Sequence, residues 1–157
     1  MSIRILGGKE MYGPHLILEA YDADKKLLSN MQHIYSFLDK LPPSIDMHPI
    51  CPPHVQQYSS KPDPRWGISG FILIAESHIV LHTYPEDQFM VMDLFSCKHF
   101  DENTTLVHIL KAFKITEYEH HLFRRGTHYS TNVSETSNLI IREREVIADK
   151  TLAAAAY

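Results

Sequence analysis

Hydrophobic residues recur along the chain in two periods, and the change from one period to the other predicts the order of strands and helices. Residues 15–21 alternate apolar and polar positions, as a half-buried strand does. Apolar residues in 27–38 are spaced three and four apart and predict a helix that begins near Asp22 or Asp24. That helix is expected to end before Pro42-Pro43, because proline cannot continue the hydrogen-bond ladder.

A strand-rich middle follows a proline-rich stretch at 42–64. Residues 71–75 form a continuous apolar run that is typical of a buried strand. Two strands, a helix and a last strand are then predicted at 79–84, 89–95, 104–113 and 115–124. This order predicts an α+β fold, a two-layer α/β sandwich in which helices cover one face of a mostly antiparallel sheet.

Composition narrows the class of protein. The chain has 157 residues and 44 % hydrophobic residues, which suits one globular domain. A net charge of -4 gives no basic excess for a nucleic-acid partner. The longest apolar run is too short to cross a bilayer, so no membrane is expected as a partner. Two cysteines, Cys51 and Cys97, make no disulfide framework and favour a reducing, cytoplasmic setting.

The eleven histidines raise the question of a metal site. His120 and His121 are adjacent in a predicted strand and would point to opposite faces. The other histidines lack carboxylate or cysteine partners at the spacing of metal ligands. The sequence therefore predicts no metal site.

Residues 67–97 gather polar side chains at the ends of predicted apolar strands. Glu76, Ser77 and His78 stand between two such strands, which is an unusual place for a hydroxyl. Taken alone, these three residues also suit an ordinary turn whose hydroxyl satisfies local backbone groups.

The whole segment resembles the short prokaryotic type of S-adenosylmethionine decarboxylase, a pyruvoyl enzyme. The matching pieces are GISG, AESH, HTYPE and DLFSC, preceded by GPHLILEAYDAD near the N-terminus. The resemblance implies a proenzyme that cuts itself between Glu76 and Ser77 into residues 1–76 and 77–157, the beta and alpha chains. Ser77 would become a pyruvoyl group, the cofactor that forms a Schiff base with the substrate.

The same resemblance assigns roles to further residues. It gives Ser69 the hydrogen-bond help during self-cleavage and His82 the removal of the alpha proton. Cys97 would return a proton to the substrate after carbon dioxide leaves. For substrate binding it implies that Glu86 accepts hydrogen bonds from a ribose and that Tyr84 stacks on adenine. Trp66 is a further stacking candidate.

The resemblance also implies an organisation and a partner. Residues 1–126 would form the decarboxylase-like domain, and 127–157 a C-terminal extension that is helical or loosely ordered. Cleaved protomers would pair as a homodimer into a four-layer αββα arrangement. The implied substrate is S-adenosylmethionine, decarboxylated to the aminopropyl donor of spermidine and polyamine biosynthesis. Arginine and ornithine decarboxylases of the same family stay open as alternatives, as does a non-catalytic homologue that never cleaves.

Overall fold

Strands and helices make up most of residues 13–59 and 66–126, the parts of the chain that this computed structural model describes. Within these residues the chain runs in the order β1 (Gly13–Tyr21), α1 (Lys25–Leu28), α2 (Met31–Ser44), β2 (His54–Ser59), β3 (Trp66–Ile74), β4 (Ser77–Tyr84), β5 (Phe89–Ser96), α3 (Glu102–Phe113) and β6 (Glu117–Arg125). A short 3-10 turn, Pro85–Asp87, joins β4 to β5. The extension predicted at 127–157 lies outside the described residues.

The six strands form one antiparallel sheet in the order β2-β3-β4-β5-β1-β6. Hairpins link β3, β4 and β5 in sequence, whereas β1 is inserted between β5 and β6 and pairs with both. The predicted α+β fold with an antiparallel sheet is therefore confirmed.

The hydrophobic core lies between one face of the sheet and the helices. Alternate strand residues point to opposite faces, so every second residue of a strand reaches this core. The fully buried members from sheet and helices include Leu16, Leu18, Ile68, Ile72, Ile79, Leu81, Met90, Ile34, Leu38, Ile109 and Phe113. The helices thus cover the face that carries the most regular apolar alternation.

The opposite face of the sheet, which we call the open face, has no helix over it among the described residues. Phe71, Leu73 and Phe123 are 40 %, 43 % and 50 % exposed there. The expectation that 71–75 forms a buried strand is therefore only half right. Ile72 and Ile74 are buried, but the two residues that alternate with them point away from the helices.

The predicted first helix is two helices, and it does not stop before the prolines. Asp24 caps α1, and the Asn30 side chain accepts from the backbone N–H of His33 and starts α2. Pro42 and Pro43 lie inside α2, in the turns near its end. The Pro42 carbonyl accepts hydrogen bonds from the backbone N–H groups of Ile45 and Met47, so the end of the helix is closed by backbone hydrogen bonds. No helix in 13–59 or 66–126 is long and apolar enough to cross a membrane.

Candidate active site

A two-residue turn, Ala75 and Glu76, joins β3 to β4 and delivers Ser77 as the first residue of β4. Ser77 has a φ of 152°, outside the regions that a residue with a side chain occupies at low energy. Strain of this kind costs about 1–3 kcal/mol and persists only where surrounding contacts impose it. The backbone of Ser77, directly after the Glu76–Ser77 peptide bond, is therefore held in an unfavourable conformation.

The carbonyl oxygen of Glu76 is held by the end of β5. The backbone N–H of Cys97 donates to it at 2.9 Å. Gly13 packs tightly against this segment, because a β-carbon there would lie 1.8 Å from the Ser96 carbonyl oxygen. A donor aimed at this carbonyl polarises it and can stabilise negative charge on its oxygen.

The Glu76 carboxylate is buried and is paired with His48. His48 holds both of its oxygens, with Nδ1 2.8 Å from Oε1 and the backbone N–H 3.1 Å from Oε2. Burial opposes ionisation of Glu76, but the hydrogen bonds from His48 prevail and lower the pKa of this carboxyl. The carboxylate is therefore ionised at neutral pH.

His78 lies beside the Ser77 hydroxyl, with Nδ1 3.1 Å from Oγ. Burial, followed by the nearby charges of His15 and Arg125, lowers the pKa of His78, and Asp93 only partly offsets them. A neutral imidazole next to a hydroxyl can accept its proton. No role was predicted for His78 from the sequence, although its place directly after Ser77 was the available signal.

Ser69 and His82 face each other across β3 and β4. Ser69 Oγ lies 2.8 Å from His82 Nδ1, and both side chains are half-buried on the open face. This bond fixes the orientation of the imidazole ring and leaves Nε2 for other partners.

The predicted substrate-binding residues lie at the same end of the sheet as Ser69 and His82. Trp66 Nε1 donates to Glu86 Oε1 at 3.3 Å, and Lys25 forms an ion pair with the other oxygen. The hydrogen bond from Lys25, with a smaller contribution from Trp66, lowers the pKa of Glu86. The Tyr84 ring stacks on Phe89 at 5.6 Å between centroids. Glu86 is exposed but already paired.

The structure therefore separates the predicted residues into two groups. Glu76, Ser77 and Cys97 form the nucleophile group, at the end of the sheet where β4 begins. The histidine group, at the other end, consists of Ser69, His82, Tyr84, Glu86 and Trp66. His82 is five residues beyond Ser77 along β4, or about 16 Å at 3.3 Å per residue. One chain alone does not bring the two groups together.

The described residues hold no metal cluster, and their cleft between α2 and α3 lies apart from both groups. In the parts of the chain that the structure describes, no three His, Cys, Asp or Glu side chains cluster as metal ligands would. A cleft of about 340 Å³ lined by His33, Lys40 and His108 lies between α2 and α3, away from both groups.

Comparison with known families identifies the chain. Residues 14–126 match the family model described as S-adenosylmethionine decarboxylase. The chain therefore belongs to the S-adenosylmethionine decarboxylase family, as its motifs predicted.

Individual relatives agree with this assignment. An S-adenosylmethionine decarboxylase proenzyme from Methanococcus aeolicus is 30 % identical over 116 residues, covering 73 % of this chain and 94 % of that protein. A proenzyme of the same name from Thermosipho africanus is 28 % identical over 136 residues, covering 80 % and 92 %. Among solved structures, the adenosylmethionine decarboxylase from Aquifex aeolicus superposes with a TM-score of 0.61 at 21 % identity, covering 75 % of this chain and 93 % of that one. The last similarity supports the fold.

Proposed function

We propose that this protein is an S-adenosylmethionine decarboxylase that makes its own pyruvoyl group by cutting its backbone between Glu76 and Ser77. The observation that carries the proposal is the state of that peptide bond. Ser77 is strained, and the Glu76 carbonyl accepts a hydrogen bond from the Cys97 N–H. The product would supply aminopropyl groups for polyamine biosynthesis in the cytoplasm.

Cleavage begins with the Ser77 hydroxyl. Its Oγ attacks the carbonyl carbon of Glu76 while His78 Nδ1, 3.1 Å away, takes the hydroxyl proton. The Cys97 N–H stabilises the negative charge that develops on the carbonyl oxygen. The carbon–nitrogen bond then breaks, the freed amine takes the proton, and the amide has become an ester.

The second stage removes the alpha proton of residue 77. A base takes that proton, the bond from the serine Cβ to oxygen breaks, and Glu76 leaves as a carboxylate. Addition of one water and loss of one ammonia then leave a pyruvoyl group at the start of the chain 77–157. We assign the base to His82, which Ser69 orients through their 2.8 Å hydrogen bond.

Position 77 fits such a group, because the strain and the Cys97 contact favour the chemistry that forms it. When present, a pyruvoyl group supplies a carbonyl that withdraws electrons from a bound amino acid as carbon dioxide leaves. The chain's own contribution is then the thiol of Cys97, which is exposed within the nucleophile group and donates a proton to the substrate alpha carbon.

A second copy of the chain supplies the missing half of the site. Within one chain His82 is about 16 Å from Ser77, too far for proton transfer. The open face carries exposed apolar side chains, Phe71 and Leu73 on β3 and Phe123 on β6, which a partner would cover. A two-fold axis that lies between two open faces and runs across the strands reverses the strand direction. It thereby brings the histidine group of one copy to the nucleophile group of the other.

Substrate binding follows from the same arrangement. Glu86 offers a carboxylate to a ribose diol, and Trp66 and Tyr84 offer rings to adenine. Since Lys25 already pairs with Glu86, the substrate must compete with this ion pair or use the carboxylate oxygen that Trp66 contacts.

The first experiment tests cleavage and substrate together. Purified protein should run as two fragments on a denaturing gel, and mass spectrometry should place the cut after Glu76. The C-terminal fragment should be blocked to Edman sequencing. Carbon dioxide release is then compared among labelled S-adenosylmethionine, arginine and ornithine. A single stable band, or equal activity of Ser77→Ala, contradicts the proposal, and release from arginine or ornithine alone reassigns the substrate.

A complementation experiment tests the two-copy site. Ser77→Ala and His82→Ala chains are each expected to stay uncut when expressed alone. Co-expressed with distinguishable tags, they form mixed dimers in which the His82→Ala chain is cut, because its Ser77 meets the intact His82 of the other copy. If that chain remains uncut in mixed dimers, His82 does not act between copies.

A further inference from the structure

Residues 48–50 lie against the end of β3, next to the turn that carries Glu76. Ala75 donates its backbone N–H to the His48 carbonyl at 2.8 Å, and Ile50 donates to the Leu73 carbonyl at 3.1 Å. Between them, Pro49 forms an isolated antiparallel bridge with Ile74. These backbone contacts fix the position of His48 relative to the Glu76–Ser77 bond.

His48 is the hydrogen-bond partner of a carboxylate that the cleavage chemistry does not use. The atom that Ser77 attacks is the backbone carbonyl carbon of Glu76, yet the side chain of Glu76 is only 10 % exposed. Burial of a charged carboxylate is unfavourable unless partners compensate for the lost water. His48 provides that compensation with its ring and its backbone N–H.

The loop that carries His48 is also tied to the end of β5. Lys98 Nζ donates to the carbonyl and to the carboxylate of Asp46, each at 2.6 Å. Asp46 adopts a left-handed conformation with a φ of 60°. Lys98 follows Cys97 directly, so its contacts with Asp46 join the two segments that hold Glu76. The loop with His48 holds the Glu76 side chain, and the end of β5 with Cys97 holds the Glu76 carbonyl oxygen.

We propose that His48 is a positioning residue for self-cleavage, which anchors the Glu76 side chain so that the carbonyl stays on the Cys97 N–H and faces the Ser77 hydroxyl. This inference rests on the proposed cleavage between Glu76 and Ser77. It concerns the proenzyme only, because the alignment of the bond no longer matters once the bond is cut. Loss of His48 should slow maturation without changing turnover by the matured enzyme.

The test compares replacements of His48 that keep or remove the donor. His48→Phe keeps a ring but loses Nδ1, whereas His48→Asn places an amide N–H near the same position. Since hydrogen bonds to charged groups are the stronger ones, His48→Phe should cleave about ten- to a hundredfold more slowly. His48→Asn should recover most of the rate. His108→Phe, on the exposed surface of α3, is the matched control and should cleave like the unaltered chain.

Glu76→Gln gives a second route that does not depend on the folding of His48→Phe. Glu76→Gln weakens the hydrogen bond between His48 and residue 76 by removing the charge of the acceptor, so it should slow cleavage. The double variant with His48→Phe should cleave no more slowly than His48→Phe alone. Cleavage of His48→Phe at the unaltered rate, failure of His48→Asn to recover, or additive losses overturn the inference. If the unaltered chain itself is not cut after Glu76, the proposed function and this inference both fail.

Discussion

Gly13 begins β1 at the point where that strand approaches the end of β5 most closely. A β-carbon on residue 13 would lie 1.8 Å from the Ser96 carbonyl oxygen and 2.8 Å from the Cα of Cys97. Both are backbone atoms, so no side-chain rotation relieves the overlap. We predict that Gly13→Ala slows self-cleavage, because the Cys97 amide that holds the Glu76 carbonyl belongs to the same segment.

The size of the effect follows from the distances. An ordinary carbon–oxygen contact is about 3.3 Å, so the segment must move by about 1.5 Å, the difference between 3.3 and 1.8 Å. Because Gly13 is held by its pairing with Arg125 of β6, we expect much of this movement to fall on residues 96 and 97. The 2.9 Å bond from the Cys97 N–H then loses its alignment, whichever way the segment relaxes. Loss of one such donor slows related reactions by about a hundred- to a thousandfold.

The assay follows the disappearance of the full-length chain on a denaturing gel after rapid synthesis. Overpacking also destabilises a fold by about 1–3 kcal/mol, so the comparison needs a destabilised control. Ile109→Val removes a buried methyl group from α3 at a cost of about 0.5–1.5 kcal/mol and should leave cleavage unchanged. If Gly13→Ala folds and cleaves within threefold of the unaltered chain, the reasoning about the Cys97 amide is wrong.

Three further predictions concern the interface, the thiol and acid stability. Phe71→Asp should yield monomers that do not cleave, measured by analytical ultracentrifugation and gel; a cleaving dimer would refute pairing through the open face. Cys97→Ala keeps its backbone N–H and should still cleave, but turnover should fall and mass spectrometry should detect pyruvoyl converted to alanine; normal turnover would remove Cys97 as the proton donor. Because the folded state lowers the pKa of Glu76, the carboxylate contributes stability above its unfolded pKa, and that contribution is lost as pH falls through the lower folded pKa. Urea unfolding of Glu76→Gln should therefore show a weaker loss of stability in acid, and an unchanged profile would contradict the assignment.

Local signals predicted most of the elements. Alternation of apolar residues gave β1, β4 and β5 within a few residues of their observed bounds. The division of the first helix depends on Asn30, whose side chain caps α2, but polar residues at that point also suit the surface of one continuous helix. The prolines stay in α2, and the helix ends one residue beyond them, where the backbone N–H groups of residues 45–47 bond to the carbonyls of Pro42 and Pro43.

Long-range placement was harder to predict. The motif implied Ser69, Ser77 and His82 as members of one site, and the strand register places Ser69 opposite His82. The predicted strand at 79–84 already separates His82 from Ser77, but the motif alone did not show that the two residues lie at opposite ends of β4. The contact of His48 with Glu76 spans 28 residues and follows no pattern, because it depends on how a proline-rich loop returns to the sheet.

The strand order has a consequence for the fate of a chain cut after residue 76. The N-terminal piece would contain β1, β2 and β3, and the C-terminal piece would contain β4, β5 and β6. In the sheet, strands of the two pieces therefore alternate in part. To separate them, the ladders between β3 and β4, β5 and β1, and β1 and β6 must all open. Both cysteines are free, so no disulfide joins the two pieces. A nicked molecule should therefore hold together through purification and come apart only when the whole fold is denatured.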